Sequence, residues 1–214
     1  MRDFPIFTTE YGVSSLVLKE IPYRKEAFVC IRDVQEAFFE EHLAECVSFC
    51  RICGAERIFA AGSGKLEEYP LYTSVLRMVG PVSFEEEKMA NLFPVTEETA
   101  GKWRSIYNEA MRTVDNAGTL EAREEKRIVE SGGAYFVHEA GELLGIFWLE
   151  ENTLLAVASV KKGAGERVMH TMMSLVPEET MELEVASTNA RAIRLYERMG
   201  FAATAEVSRW YRVL

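Results

Sequence analysis

A glycine-rich turn and a nearby helix carry the residues of this sequence that are best suited to chemistry. Gly163 and Gly165 lie in the segment KKGAGER, between a predicted strand, TLLAVASV, and a predicted amphipathic helix, VMHTMMSLV. Unpaired backbone N–H groups at the start of a helix attract anions. Further along, Asn189 and Tyr196 are seven residues apart on a second predicted helix, which places them on one face. The pattern predicts an anion-binding turn close to a polar side chain and a phenol.

The distribution of charge supports an anionic ligand at this turn. The chain has 24 Lys and Arg against 34 Asp and Glu, and its formal net charge is −10. Such an acidic chain lacks the basic excess of a nucleic-acid-binding protein, so we expect no nucleic-acid partner. Six basic residues nevertheless lie within the turn and the second helix: Lys161, Lys162, Arg167, Arg191, Arg194 and Arg198. This clustering favours a polyanionic ligand, although a solvated helix face is the preferred interpretation for the last three.

The elements that position these residues form the C-terminal part of the chain. Hydrophobic periodicity and turn residues predict the order β-α-α-β-β-β-α-β-α-β for residues 92–214 and β-β-α-β-β for residues 1–91. A polar segment with three consecutive glutamates separates the two parts, so we predict two domains, 1–91 and 92–214, with a boundary near Asn91. The similar element order in the two parts raises the hypothesis of a degenerate internal duplication.

The cysteines offer a competing chemistry. Cys46, Cys50 and Cys53 match the spacing by which radical S-adenosylmethionine enzymes hold an iron–sulfur cluster. The same cysteines recur with Leu43 and Val47 at helical spacing, which is typical of a buried stripe on an amphipathic helix. We favour the buried stripe, and a brown protein solution would overturn that interpretation.

The sequence contains no apolar run of the roughly 18 residues that a membrane span requires. Its first residues also lack the basic start and apolar run of a signal peptide. We therefore expect a cytoplasmic protein without a membrane partner.

From about residue 93 to residue 214 the chain resembles the GNAT superfamily of acyl-CoA-dependent N-acetyltransferases. The segment at Lys162 and Gly165 resembles the family's pyrophosphate loop, Arg/Gln-x-x-Gly-x-Gly/Ala, except that Arg167 stands at the second small position. The segment LEVASTNARAIRLYERMGF is similar to the family's strand–helix motif, and its matching residues are Asn189, Ala192, Tyr196, Gly200 and Phe201.

The resemblance implies an α+β fold of the GNAT type: a mixed, mostly antiparallel sheet flanked by helices, here preceded by a smaller α+β domain that resembles a degenerate GNAT half. It implies acetyl-CoA as cosubstrate and no metal. The pyrophosphate is expected at the backbone of residues 163–168, and the pantetheine arm along residues 155–157. The expected cofactor-binding residues are Leu155, Ala156, Val157, Lys162, Gly163, Ala164, Gly165, Glu166, Arg167, Val168, Asn189 and Tyr196.

The resemblance also implies catalytic roles. Tyr196 is expected to protonate the departing thiolate. No motif fixes the base that takes the amine proton; Glu184 and Glu150 are the candidates chosen by their positions on the central strands, with Glu151 and His138 as alternatives. Arg167 leaves two alternatives open, since it either obstructs the approach of pyrophosphate or binds a phosphate oxygen itself.

The resemblance therefore predicts an enzyme that moves an acetyl group from acetyl-CoA to a primary amine of a small molecule or protein. Residues 93–214 contain no cysteine, so we expect direct attack in a ternary complex. The alternative is a non-catalytic acyl-CoA-binding sensor module. The first domain is left with two roles, to wall the acceptor cleft or to form a homodimer.

Overall fold

Contacts divide the chain into two compact units in the computed structural model, which describes residues 5–214. The first unit ends at Val75 and also includes Val207–Leu214, and the second unit is Leu76–Glu206. The contacts assign residues 76–91 to the second unit. The domain boundary near Asn91 stays a prediction.

The first unit is built from short strands and one long helix. Its elements are β1 (Ile6–Thr8), β2 (Gly12–Val17), the single turn α1 (Ile21–Arg24), β3 (Glu26–Val34), α2 (Phe39–Ile52), β4 (Arg57–Ala61) and the first part of β5 (Leu71–Pro81). Strands β2 and β3 pair antiparallel, whereas β3 and β4 pair parallel and are connected by α2. This unit is the smaller α+β part that the sequence predicts before the GNAT region.

Helix α2 packs an apolar stripe into the core of the first unit. Phe39, Leu43, Cys46 and Cys50 are buried together, which confirms the predicted stripe for these two cysteines. The prediction is wrong for Cys53, which is exposed where the helix ends. Burial raises the pKa of the Cys50 thiol to about 12, so this cysteine behaves as a small apolar side chain.

A histidine on the same helix face is held inside a polar network. His42 is fully buried, and its Nδ1 lies 2.8 Å from the Thr9 hydroxyl while its Nε2 lies 2.8 Å from the Ser14 hydroxyl. The Cys46 sulfur is 3.8 Å from the same Nε2. Burial lowers the pKa of His42, and the nearby Glu45 opposes that shift only in part. The network thus holds a neutral imidazole.

We expect the stability of the first unit to fall as the pH drops below about 6.5, the ordinary pKa of histidine. Because the pKa of His42 is lower in the folded than in the unfolded chain, the unfolded chain binds the extra proton first and acid favours unfolding. One such proton gives a slope of at most about 1.4 kcal/mol per pH unit. Urea unfolding between pH 5 and 8 measures this slope, and His42→Gln should remove its histidine component. An unchanged slope in that variant would contradict the prediction.

The second unit holds the segment in which the sequence places the chemistry. Its elements are the rest of β5, then β6 (Asn91–Pro94), α3 (Ala100–Met111), α4 (Glu125–Glu130), β7 (Ala134–Glu139), β8 (Glu142–Glu150), β9 (Thr153–Ser159), α5 (Gly165–Met173), β10 (Thr180–Ala186), α6 (Ala190–Arg198) and β11 (Ala202–Arg212), whose last residues belong to the first unit. The strand order in this unit is β11-β5-β10-β9-β8-β7-β6. Strands β9 and β10 pair parallel, and β6 to β9 pair antiparallel in succession.

Helices cover both faces of this mixed sheet. One core cluster joins α5 and α6 to the strands through residues such as Met169, Met172 and Tyr196. A separate cluster joins α3 and α4 to the strands and includes Trp103 and Ile128. The predicted fold class, a mixed and mostly antiparallel sheet flanked by helices, is confirmed.

The segment between α3 and α4 differs from the sequence prediction. The apolar spacing of the sequence predicts a helix from Glu97 to Asn116, but α3 is shorter because a turn at Thr96 and Thr99 precedes it. The side chain of Asn108, near the end of α3, accepts a hydrogen bond from the Leu120 N–H and donates one to the Leu120 carbonyl, both 2.9 Å long. These bonds hold the connection in an irregular conformation.

None of the helices within residues 5–214 combines the length and the apolar character that crossing a membrane requires, and the cytoplasmic location stays a prediction.

Candidate active site

Strands β9 and β10 separate in the middle of the second unit's sheet. Their register contains only the pairs Thr153–Glu182 and Leu154–Leu183. At the same place β9 contains one residue more than β8, because Trp148 pairs with Ala156 and Leu149 pairs with Leu154. Leu155 is therefore a β-bulge residue, and bulges of this kind end regular pairing and redirect side chains. Beyond Leu154 the edge of β9 that faces β10 is open.

The turn after β9 presents backbone donors. Gly163 has a φ of +85°, a conformation that glycine adopts without strain, and a Cβ built at this position would meet no heavy atom within 4 Å. Helix α5 starts two residues later without a side-chain cap. Within residues 5–214 the N–H groups of Gly165, Glu166 and Arg167 donate no hydrogen bond. Three free donors at the positive end of a helix form an anion site.

A cleft of about 540 Å³ connects this turn to α6. Its walls come from the last residues of β9, the first residues of α5, one side of α6 and the C-terminal end of α3. The predicted residues that line it are Val157, Gly163, Gly165, Glu166, Asn189 and Tyr196. The structure thus brings together the two sequence features, the glycine turn and the phenol. A volume of this size suits an extended small molecule.

Tyr196 lies at the inner side of the cleft. Only 6% of the residue is exposed, and its ring centre is 5.9 Å from that of Phe201. Burial raises the pKa of its phenol to about 12, so the hydroxyl stays protonated at neutral pH. No side chain within residues 5–214 forms a hydrogen bond with this hydroxyl. Tyr196 therefore presents an available proton donor to the cleft.

Asparagine is a residue type that favours the N-cap of a helix, and Asn189 caps α6. Its Oδ1 accepts a hydrogen bond of 3.2 Å from the Ala192 N–H. Its predicted contact with pantetheine stays a prediction.

The arginines of α6 line the cleft, although the sequence favours a solvated helix face for them. Arg191, Arg194 and Arg198 all line it together with Tyr196. Arg198 is paired with Glu166, at 3.1 Å between Nε and Oε1. The cleft therefore has a cationic rim.

The side chains of Arg167 and Lys162 do not line this cleft. The Arg167 guanidinium binds the Glu139 carboxylate at 2.8 Å and donates to the carbonyls of Lys88 and Glu87. These contacts direct the Arg167 side chain towards Glu139 and the backbone of Glu87 and Lys88. Lys162 is exposed.

The predicted bases lie outside the cleft. Glu184 is exposed on β10, one residue past the last pair with β9, and it is bonded to Arg77. Glu150 is opposite Thr153 at the start of β9 and is bonded to Arg127. The six-residue step from Thr153 to Ser159 spans about 20 Å, so Glu150 lies at the far end of the strand from the turn.

The other two candidate bases, Glu151 and His138, also lie outside the cleft. Glu151 lines a separate depression at the beginning of β9, together with Glu150 and the predicted cofactor-binding residue Leu155. His138 packs its ring against Phe93, with 5.2 Å between the centres. Among residues 5–214 there is no group of three or more His, Cys, Asp or Glu side chains that could hold a metal ion.

The sequence missed the contribution of α3 to the cleft. The apolar spacing of this helix predicts that Ala110 and Met111 lie on its buried side, yet they line the cleft together with Thr113 and Val114 of the following turn. The apolar side of α3 continues to the last residue of the helix, and this pattern could have predicted that the end of α3 lines the cleft.

These features define an acyltransferase domain, and the comparison of sequences supports that class. The sequence profile of the acetyltransferase (GNAT) family matches residues 85–201. Since the match covers more than half of the 214 residues, the chain belongs to the GNAT acetyltransferase family. No curated protein matches the chain significantly.

Solved structures share this fold. A functionally unknown conserved protein from Staphylococcus epidermidis ATCC 12228 is 10% identical, with a TM-score of 0.57 over 98% of this chain and 93% of that one. A GCN5-related N-acetyltransferase from Anabaena variabilis ATCC 29413 is 8% identical, with a TM-score of 0.60 over 98% and 58%. A GCN5-related N-acetyltransferase from Sphaerobacter thermophilus is 13% identical, with a TM-score of 0.52 over 94% and 75%. At these identities the similarity shows the fold alone.

Members of the GNAT family transfer acyl groups and generally take acyl-CoA as cosubstrate. The residues of this cleft fit such a ligand. The free N–H groups of the turn suit a pyrophosphate, the cationic rim suits further phosphate charge, and the open edge of β9 suits an extended amide chain.

Proposed function

We propose that this protein is an N-acetyltransferase that transfers the acetyl group of acetyl-CoA to a primary amine by direct attack in a ternary complex. The observation that carries the proposal is the shared cleft, in which the N–H groups of the turn and the protonated Tyr196 line one channel beside the open edge of β9. Acetyl-CoA, when bound, supplies an activated acetyl group as a thioester.

The backbone of residues 163–168 would hold the pyrophosphate, and the open edge of residues 155–157 would pair with the pantetheine amides. Because the pairing of β9 with β10 ends at Leu154, the N–H groups beyond it on that edge no longer belong to a ladder with β10. An N–H near Val157 can therefore stabilise negative charge on the carbonyl oxygen.

Tyr196 would donate a hydrogen bond or a proton to the departing sulfur. A thiol has a pKa near 8.5 and the buried phenol has a pKa of about 12, so Tyr196 is present in its donor form whenever the enzyme works. The residue thus acts as a late acid and needs no partner base.

Glu184 is the residue that we propose takes the proton of the amine, directly or through a water molecule. It is the first residue of β10 beyond the pairing with β9, and its carboxylate is exposed on the sheet. Glu150 is opposite Thr153, two residues before Leu155 along β9, and is therefore farther than Glu184 from the open edge that follows Leu154.

The proposed function is tested by following thiol release from acetyl-CoA with a panel of primary amines and identifying the acetylated products by mass. Release that depends on the amine supports it. The alternative, an acyl-CoA sensor, is favoured by one observation: Glu166 is the only carboxylate among the described residues lining the cleft, and it is paired with Arg198. Calorimetric binding of coenzyme A without turnover of any amine would establish that alternative.

We expect Glu184→Gln to lower kcat/KM about 100-fold at pH 7, because a positioned base contributes about that factor or more. The loss should shrink at alkaline pH, where the amine is already neutral in solution. A pH–rate profile measures both effects.

Glu150→Gln is the matched control, since Glu150 is also a partly exposed glutamate paired with arginine. It should react at the wild-type rate. The reverse pattern, a slow Glu150→Gln and a normal Glu184→Gln, would assign the base to Glu150.

A further inference from the structure

An arginine lies directly beside the proposed base. Arg77 on β5 and Glu184 on β10 occupy adjacent strands of the second unit, and Nη2 of Arg77 is 3.1 Å from Oε1 of Glu184. The two side chains are 44% and 49% exposed. Both charges are thus open to solvent.

The pair stands on the face of the sheet opposite α5 and α6. Leu183 and Val185 point into the core of those helices, so Glu184 between them points the other way. Leu76 and Met78 contact the same core, and Arg77 therefore shares the face of Glu184. The core cluster under α3 and α4 includes no residue of β5 or β10 among those described, so these helices leave the pair uncovered.

The ion pair uses only part of the binding capacity of the two groups. It is a single contact, and within residues 5–214 neither Nε and Nη1 of Arg77 nor Oε2 of Glu184 has another partner. A guanidinium can bind a carboxylate through two parallel N–H groups. An exposed pair of this kind also contributes little to stability, so the fold does not depend on it.

The pair is level with the bulge of β9. Leu183 pairs with Leu154, and Glu184 is therefore the residue beside Leu155, where the open edge proposed for the thioester begins. An acceptor bound at Glu184 meets a positive and a negative group side by side.

We infer that the acceptor is zwitterionic: an α-amino acid whose ammonium binds Glu184 and whose carboxylate binds Arg77. The two charges of the amino acid and the charges of Arg77 and Glu184 then alternate in sign around a square. The amine nitrogen lies next to Glu184, the proposed general base. This inference rests on the proposed function and names its substrate class. In the reaction, the ammonium first gives one proton to Glu184, and the neutral nitrogen then forms the amide bond as the carbon–sulfur bond breaks. Tyr196 supplies the proton with which the sulfur leaves as the thiol, and the second nitrogen proton passes through water to restore Tyr196.

The experiment compares each L-α-amino acid with its amide and with its decarboxylated amine, by thiol release and product mass. In the wild-type protein kcat/KM should be at least about tenfold higher for the acid than for the amide. Arg77→Met should reduce this ratio to within about twofold, mainly by raising KM for the acid. Arg77→Lys should restore part of the preference.

Lys126→Met, which removes an exposed ion pair with Glu130 on α4, is the control and should keep the preference. Equal kcat/KM for acid and amide in the wild-type protein, or an unchanged preference in Arg77→Met, would overturn the inference while leaving an N-acetyltransferase in place. If no acceptor is acetylated, the proposed function fails, and calorimetry with the same acids and amides in the presence of coenzyme A decides the inference. Selective binding of the acids that Arg77→Met abolishes supports it, and the lack of such selectivity overturns it.

Discussion

Replacing Tyr196 by phenylalanine is expected to lower kcat by about 10²- to 10⁴-fold, the range of a positioned acid, while the Kd for coenzyme A changes by less than about twofold. The variant removes only the hydroxyl, and the ring keeps its contact with Phe201 in the core. Because no described side chain binds that hydroxyl, its removal leaves no partner unpaired. Steady-state thiol release and calorimetry separate the effect on turnover from the effect on binding.

Tyr135→Phe is the matched control. Tyr135 on β7 is also partly buried and stacks on Phe147, at 5.3 Å between the ring centres, but it does not line the cleft. Its variant should keep the wild-type kcat. If Tyr196→Phe were as fast as wild type, the proposed acid role would be wrong, and the departing thiolate would need no donor from the protein.

The same residue fixes the alkaline limit of activity. A pKa of about 12 means that Tyr196 keeps its proton well above pH 10, where an exposed tyrosine would already lose it. Since ionisation would remove the donor, the decline of kcat that depends on Tyr196 should begin only above about pH 11. A decline near pH 10 in the wild-type protein that is absent from Tyr196→Phe would show that the phenol is more accessible than its burial indicates.

Much of the fold follows from local sequence signals. The alternating strands, the glycine after β9 and the Asn189 cap each act through neighbours a few residues away, and the structure places them as expected. The limits of α3 were wrong because they depend on distant contacts, such as the two hydrogen bonds between Asn108 and Leu120. Cys53 was misplaced for a similar reason, since periodicity continues past the residue at which α2 ends.

The site was predictable only where residues adjacent in the chain form it. The turn was recognised from its glycines and the role of Tyr196 was proposed from the strand–helix motif, but the bulge at Leu155 arises from the register between β8 and β9, which no single segment encodes. Arg77 was not recognised because it lies 107 residues from Glu184 and meets it only across the sheet. The α6 arginines were assigned to solvent because the neighbours of a helix face are not visible in its own sequence.

Those arginines lead to the second large effect. The double variant Arg191→Glu and Arg194→Glu should raise the Kd for coenzyme A about 10- to 100-fold at low salt, because four units of charge change at the rim of a cleft that must accept phosphates. The loss should shrink to a few fold at 0.5 M salt, where charges are screened over a few ångströms. Calorimetric titrations at both salt concentrations measure it, and 3′-dephospho-coenzyme A tests whether the rim contacts the 3′-phosphate.

The control changes the same net charge elsewhere. Lys102→Glu with Lys126→Glu alters two exposed cations, on the first turn of α3 and on α4, that do not line the cleft. If the rim acts locally, this control should bind coenzyme A within about threefold of wild type, whereas equal losses in the two double variants would show that only the overall charge of the protein matters. Because the chain is already strongly acidic, with a net charge of −10, a local cationic rim is what allows a polyanionic cosubstrate to approach.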